Sequence, residues 1–196
     1  MDKRNIEAIY PLSPMQQGML FHTLHAPESG PGSGVYFEQF TCTLHGDLDE
    51  EAFRRAWQRV VERHTVLRTA FAWKSLDKML QVVQRHVDLP FHVEDWRDAS
   101  PDEQALRRAA YLQRDREQGF DLSKAPLIRL ALMQLDDETY DFFWSHHHIL
   151  LDGWSLPLLL KEMFASYEAF REGREPTLPD PQPYRTYINW LQQQPP

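Results

Sequence analysis

The chain has 196 residues and a formal charge of −8 at pH 7, with 42% hydrophobic and 12% aromatic residues, a composition that can bury a core and argues against disorder. Non-specific nucleic-acid binding needs clustered Lys and Arg to replace phosphate counterions, and the acidic balance offers no basic patch, so nucleic acid is excluded as a partner. Cys42 is the lone cysteine; an intramolecular disulfide and a cysteine-based zinc site are therefore excluded, and a reducing, cytoplasmic setting is expected.

The N-terminal stretch Met1 to Tyr10 carries charges but no continuous apolar run that could serve as a secretory h-region. Ser13-Pro14-Met15-Gln16 supplies an N-cap, a proline at the first helical position and a Gln three residues on, which predicts a helix to about His25 with Met15, Met19 and Leu20 on its apolar face. The breaker-rich Ala26 to Gly34 reads as a flexible surface loop within one domain. Val35 to Leu44 reads as a strand. A second helix is expected from Asp47, with Glu50 at capping-box spacing, and its core stripe is Phe53, Ala56, Trp57, Val60 and Val61.

Beyond His64, Val66 to Trp73 and Met79 to Gln84 can pair as strands, Leu89 to Val93 is a further extended segment, and Ser100-Pro101-Asp102-Glu103 opens a charged helix to about Gln118. Leu127 to Leu135 and Thr139 to His147, joined by Asp136-Asp137-Glu138, form an antiparallel hairpin. Leu156, Leu159, Leu160, Met163, Phe164 and Tyr167 mark the next helix, and a proline-rich connection leads to a short one around Tyr184 to Leu191. Apolar runs such as Ile149-Leu150-Leu151 fall far short of the roughly 20 residues of a membrane span, so no membrane partner is expected. Strands and helices mix without strict βαβ alternation, which predicts an α+β fold: a mixed, largely antiparallel sheet covered by helices.

Chemistry concentrates in Trp144-Ser145-His146-His147-His148-Ile149-Leu150-Leu151-Asp152-Gly153-Trp154. If the strand stays extended, His146 and His148 point to one face and His147 to the other. Gly153 suits a tight turn, and the helix after it would bring free amides and a positive dipole end near His148. A neutral imidazole there can take a proton from an attacking amine or hydroxyl, beside an oxyanion-stabilising environment. Asp152 could orient a histidine or pair with an arginine and brace the loop. No Gly-x-Ser-x-Gly elbow occurs, and direct acyl transfer between two bound substrates needs no enzyme nucleophile. Two other readings stay open on spacing alone: a metal site using His146, His148 and Asp152, and a structural role in which the histidines cap a buried strand and Asp152 caps the next helix.

His147-His148-x-x-x-Asp152-Gly153 resembles the signature of the condensation domains of nonribosomal peptide synthetases, which have the chloramphenicol-acetyltransferase-like fold. Tyr10-Pro11-Leu12-Ser13-Pro14-Met15-Gln16-Gln17-Gly18-Met19-Leu20-Phe21-His22 resembles the family's opening motif, and Arg63-His64-Thr65-Val66-Leu67-Arg68-Thr69-Ala70-Phe71 its second, with Thr65 in place of the usual Glu. The resemblance implies that His148 positions or deprotonates the acceptor amine, that His147 completes the signature, that Asp152 is structural with Arg68 or Arg63 as its ion-pair partner, and that Gly153 leaves room for pantetheine-linked substrates. For Arg63 a solvated helix end is the alternative.

The reaction so implied is amide-bond formation between a donor acyl or peptidyl thioester and an acceptor aminoacyl thioester. Both would arrive on phosphopantetheine arms of donor and acceptor carrier proteins, with no cofactor or metal intrinsic to the domain. The opening motif and the signature stretch look more like condensation domains that take a D-configured donor. Family members have two similar lobes, and residues 1–196 look like the N-terminal lobe, with the C-terminal lobe and the neighbouring synthetase domains as further partners. The lobe alone is expected to be inactive and to expose apolar side chains where its companion would sit. Alternatives are an epimerisation domain or another acyltransferase of the same fold, and, in a different class, a non-catalytic carrier-docking module. Heterocyclisation domains are disfavoured because they replace the signature histidines with aspartate.

Overall fold

The computed structural model describes residues 3–25, 35–74 and 76–194; the loop expected at Ala26 to Gly34 lies outside them. The elements, after a 3-10 turn at Lys3–Asn5, are β1 (Ile6–Pro11), α1 (Pro14–His25), β2 (Phe37–His45), α2 (Glu50–Arg63), a 3-10 turn at Thr65–Arg68, β3 (Thr69–Ala72), β4 (Leu80–Gln84), β5 (Phe91–Asp95), α3 (Pro101–Gln118), β6 (Ile128–Gln134), β7 (Thr139–His147), α4 (Ser155–Arg171) and α5 (Tyr184–Gln192).

The α+β expectation holds, but the strands divide into two sheets rather than one. A three-stranded antiparallel sheet runs β1-β4-β3, and a four-stranded sheet runs β2-β7-β6-β5. The second is mixed: β5 lies parallel to β6 while the other pairs are antiparallel. A parallel pair cannot be closed by a tight turn, and α3 is the crossover that joins it. The predicted hairpin is β6–β7, with Ile128 opposite His146 and Gln134 opposite Tyr140.

Capping explains where the helices begin. At α1 the exchange is reciprocal: the Ser13 amide donates to Gln16 Oε1 at 2.9 Å and the Gln16 amide to Ser13 Oγ at 3.2 Å. At α2 the cap is Asp49, whose Oδ1 accepts the Ala52 amide at 2.9 Å, two residues later than the expected Asp47. Leu48 packs against the core, which carries the chain past Asp47 before the helix can start. Ser100 caps α3 as expected.

The four-stranded sheet is covered on both faces. Phe53, Ala56, Trp57, Val60 and Val61 of α2, with Leu159 and Met163 of α4, bury against Leu130, Leu132, Phe142 and Trp144. Trp57 lies 5.7 Å from Phe142 and 4.9 Å from Trp144, ring centre to ring centre. Tyr111 and Leu112 of α3 pack on the other face over Ala131, Met133 and Phe143. On the three-stranded sheet, Tyr10 and Val83 pack with Ile188 of α5. Because side chains alternate along β7, Phe142, Trp144 and His146 face α2 and α4, while Phe143 and Ser145 face α3.

Two local expectations change. Val66 to Arg68 forms a 3-10 turn instead of the start of a strand, closed by the Leu67 amide on His64 O at 3.0 Å and by Thr69 Oγ1 on Thr65 O at 2.8 Å. That turn buries both Leu67, in the main core, and Arg68, against Glu7 and the carbonyls of Gln84 and Arg85. Met15, placed on the apolar face of α1, is exposed; Gln16 and Leu20 are the residues α1 buries. Among the described residues no helix is long and apolar enough to cross a membrane.

Candidate functional site

The site is built where the last residues of β7 meet the start of β2 and the body of α1. β7 stops at His147, so the alternation that should separate His146 and His148 ends one residue early. His146 turns into the core beside Trp144, ring centres 5.6 Å apart. His147 is also buried. Burial pushes both imidazoles down to about 4, with the neighbouring histidines adding to the shift, so both are neutral at physiological pH.

His147 folds the turn that follows it. Its Nδ1 accepts the Ile149 amide at 3.1 Å and its carbonyl accepts the Leu150 amide at 3.0 Å. An Nδ1 that accepts places the ring proton on Nε2, which is buried without a hydrogen-bond partner. Ile149, Leu150 and Leu151 then anchor the turn in the core.

His148 differs from both neighbours: its side chain is 33% exposed, and its Nδ1 lies 4.0 Å from Glu38 Oε1 on β2. Its backbone amide donates to Tyr36 O at 2.8 Å, extending the β2–β7 pairing one step beyond Phe37 opposite His147. The imidazole the signature singles out is thus the open one of the three.

Beneath the turn lies a polar contact that the motifs do not announce. Gln16 of α1 and Gln81 of β4 are buried and bonded to each other; Gln16 Nε2 reaches Ile149 O at 3.4 Å and Gln81 Nε2 reaches Pro11 O at 2.9 Å. The opening motif is therefore tied to the residue next to His148 through a side-chain amide. The available signal was the capping-box Gln, whose one oxygen serves both the cap and Gln81.

Asp152 does not pair with an arginine. Its Oδ1 accepts the Ser155 amide at 2.9 Å and Ser155 Oγ at 2.7 Å, and these bonds, first the hydroxyl, hold its carboxyl below the usual aspartate value. The expectation of a free amide at that point of α4 is corrected with it, because the Ser155 amide is taken. Arg68 is buried, as expected of the better pairing candidate, but its partners are Glu7 of β1 at 2.6 Å and the carbonyls of Gln84 and Arg85. Arg63 pairs with Glu162 of α4 at 3.1 Å and donates to Pro179 O, so it is not a solvated helix end either. Both arginines rivet elements of the fold to each other rather than to Asp152: β1 to β4 in one case, α2 to α4 in the other.

Gly153 does not have the left-handed backbone that would demand glycine, and a Cβ built on it meets nothing within 4 Å. It sits in the expected tight turn, which the Ser155 amide closes on Asp152 O at 3.1 Å, and leaves open space beside it. Beside it Trp154 is 88% exposed, with Leu158 on α4 and Met15 and Phe21 on α1 also exposed. Among the described residues no three His, Cys, Asp or Glu side chains come together to hold a metal; His146 lies in the core and Asp152 is spent on Ser155.

Comparison with known proteins agrees with this layout. Residues 6–195 match the family model of the condensation domain. The chain is 47% identical over 191 residues to a linear gramicidin synthase of Brevibacillus parabrevis, covering 97% of this chain and 4% of that protein. It is 43% identical over 192 residues to bacitracin synthase 3 of Bacillus licheniformis, covering 98% of this chain and 3% of that protein. The starter condensation domain of the rhizomide synthetase RzmA superposes with a TM-score of 0.81 at 25% identity, over 95% of this chain and 44% of that one. The cyclization-docking bidomain of EpoB from Sorangium cellulosum shares the fold, with a TM-score of 0.77 at 24% identity over 96% of this chain and 36% of that one. The chain spans under a tenth of those synthases and less than half of those solved domains. With its two sheets, their covering helices and a signature turn that holds one histidine open, the chain belongs to the condensation domain family of nonribosomal peptide synthetases and has its chloramphenicol-acetyltransferase-like fold.

Proposed function

We propose that this chain is the N-terminal lobe of a domain that joins a donor acyl or peptidyl thioester to the amine of an acceptor aminoacyl thioester, each delivered on the phosphopantetheine arm of a carrier protein in the cytoplasm. The amine nitrogen forms the new C–N bond, the carbon–sulfur bond of the donor breaks, and the proton shed by nitrogen passes by way of His148 to the departing sulfur. The observation that carries the reading is the contrast among three adjacent imidazoles: two are buried and structural, and His148 alone is open to a substrate.

Around it the roles divide. His147 shapes the turn, Asp152 fixes the start of α4, and the space at Gly153 fits a narrow pantetheine chain. The opening motif and signature support a D-configured donor. Exposed Trp154, Leu158 and Met15 fit a companion lobe that supplies the second wall of the channel, so the 196-residue chain alone is expected to turn over no substrate.

The test is His148→Ala in a complete two-lobe condensation domain carrying this sequence, with both carriers loaded and dipeptide followed by mass spectrometry. Loss of a positioned acid–base group costs about 10²–10⁴ in rate. Wild-type turnover by the variant would refute the assignment, and turnover by the isolated chain would refute the need for a second lobe.

A further inference from the structure

We propose that Tyr36 is the positioning residue for His148, a clamp that fixes the signature turn against α1; the proposal rests on the reading of His148 given above. Tyr36 has φ +60°, the only non-glycine residue with positive φ among those described. A bulky aromatic residue in the left-handed region is strained, and glycine would sit there without strain. Such strain persists only where the surroundings over-determine it.

Three contacts converge on this one residue. Its carbonyl holds the His148 amide at 2.8 Å. Its ring lies 6.2 Å from the ring of His147, tilted by 55°. Its hydroxyl lies 2.9 Å from Nδ1 of His22 on α1, and those two rings are nearly parallel, 6.3 Å apart. Tyr36 therefore touches both signature histidines and the last residue of the opening motif. No other described contact links all three.

Tyr36 stands one residue before β2, opposite His148 in the continued β2–β7 register. Cβ and the carbonyl carbon both hang on Cα, so the positive φ leaves ring and carbonyl together and sets instead the direction from which Val35 enters. From this position one residue supplies a backbone acceptor to the turn and a side chain to α1, and those contacts hold the strained φ in place. His148 then starts its work from a backbone position set by three elements.

The experiment uses Tyr36→Gly, Tyr36→Asn and Tyr36→Phe in two settings. Gly and Asn tolerate the left-handed backbone but lack the ring; Phe keeps the ring and loses only the bond to His22. In the 196-residue chain, Tyr36→Gly is expected to melt within about 4 °C of wild type, since relief of strain offsets lost packing. The His148 amide should then exchange with solvent at least about tenfold faster, and Tyr36→Phe should restore most of the protection. In the complete domain, Tyr36→Gly is expected to lower kcat about tenfold or more, with KM for either loaded carrier within about twofold, and Phe to recover most of kcat.

If Tyr36→Gly does not fold, Tyr36→Asn reads the same two quantities. A folded ringless variant with wild-type kcat overturns the proposal, and so does a Phe variant as slow as Gly. His148→Ala run alongside separates the two readings. Should it abolish turnover while the ringless variants stay fast, the clamp alone fails; should it leave turnover intact, the assignment of His148 fails and takes the clamp with it.

Discussion

The partner of Arg68 decides between two pictures of what the second motif is for, and a double-mutant cycle reads it directly. In the structure the guanidinium is buried, paired with Glu7 and bonded to the carbonyls of Gln84 and Arg85, while Asp152 is occupied by Ser155. Arg68→Ala removes the charge and its packing and takes a donor from two part-buried carbonyls. Because the charge left behind is not buried, the cost is that of lost packing and lost hydrogen bonds, about 1–3 kcal/mol, which at a urea slope near 2 kcal/mol/M lowers the midpoint by about 0.5–1.5 M. Glu7, 36% exposed in its side chain, can rehydrate. Glu7→Gln instead leaves the guanidinium buried without its counter-charge, though still bonded to carbonyls, and should cost about 3 kcal/mol, and Asp152→Ala about 1 kcal/mol for the lost bond to the Ser155 amide. The discriminating quantity is the coupling energy. Arg68 with Glu7 should couple by about 1–2 kcal/mol, and Arg68 with Asp152 should be additive within about 0.5 kcal/mol. Urea denaturation of the four proteins in each cycle measures both. A coupling above about 1 kcal/mol between Arg68 and Asp152, with none to Glu7, would refute the pairing described here.

Three further outcomes follow from the geometry. His146 and His147 are held neutral in the fold at about 4, against an unperturbed value near 6.5, so the unfolded chain binds more protons between those limits. Stability should be fully present above pH 6.5 and fall as pH drops toward 4, by on the order of 3 kcal/mol per ring, and His146→Gln should flatten the slope in a pH series of urea melts. Gln81→Leu strips Pro11 O and the Gln16 amide of a partner and should cost about 1–3 kcal/mol, visible as a lower melting temperature; an unchanged one would mean that the Gln16–Gln81 contact is not formed. Gly153→Ala adds a methyl to open space and should change stability by less than about 0.5 kcal/mol. In the complete domain it should slow turnover if pantetheine passes there, and equal rates would place the arm elsewhere.

Much of this fold could be read from residue order because its signals are local. Ser13 and Gln16 are three apart and cap each other, the α2 stripe from Phe53 to Val61 is periodic, and the β6–β7 turn is a run of three acidic residues. What escaped was non-local. β1 carries apolar and charged residues that read as an ordinary charged terminus, and it becomes a strand only because β4, some seventy residues on, completes it. Without β1 nothing in the sequence sets Glu7 beside Arg68, and the pairing of Arg68 with Asp152 rests on the family resemblance alone. The candidate site shows the same division. His148, Asp152 and Gly153 were legible as a pattern, but which imidazole stays open depends on β7 ending at His147. Tyr36 carried no signal at all, since a backbone angle is not written in a side chain.

The pairing of β2 with β7 has a consequence for how the molecule is made. Phe37 must wait for His147, its partner across the ladder, which the ribosome delivers 110 residues later. At synthesis rates of about 5–20 residues per second that interval is roughly 5–20 s, during which β2 is a nascent strand with an unsatisfied edge. The open imidazole of His148 is the next residue to be added, so it arrives together with the end of the strand that supports it.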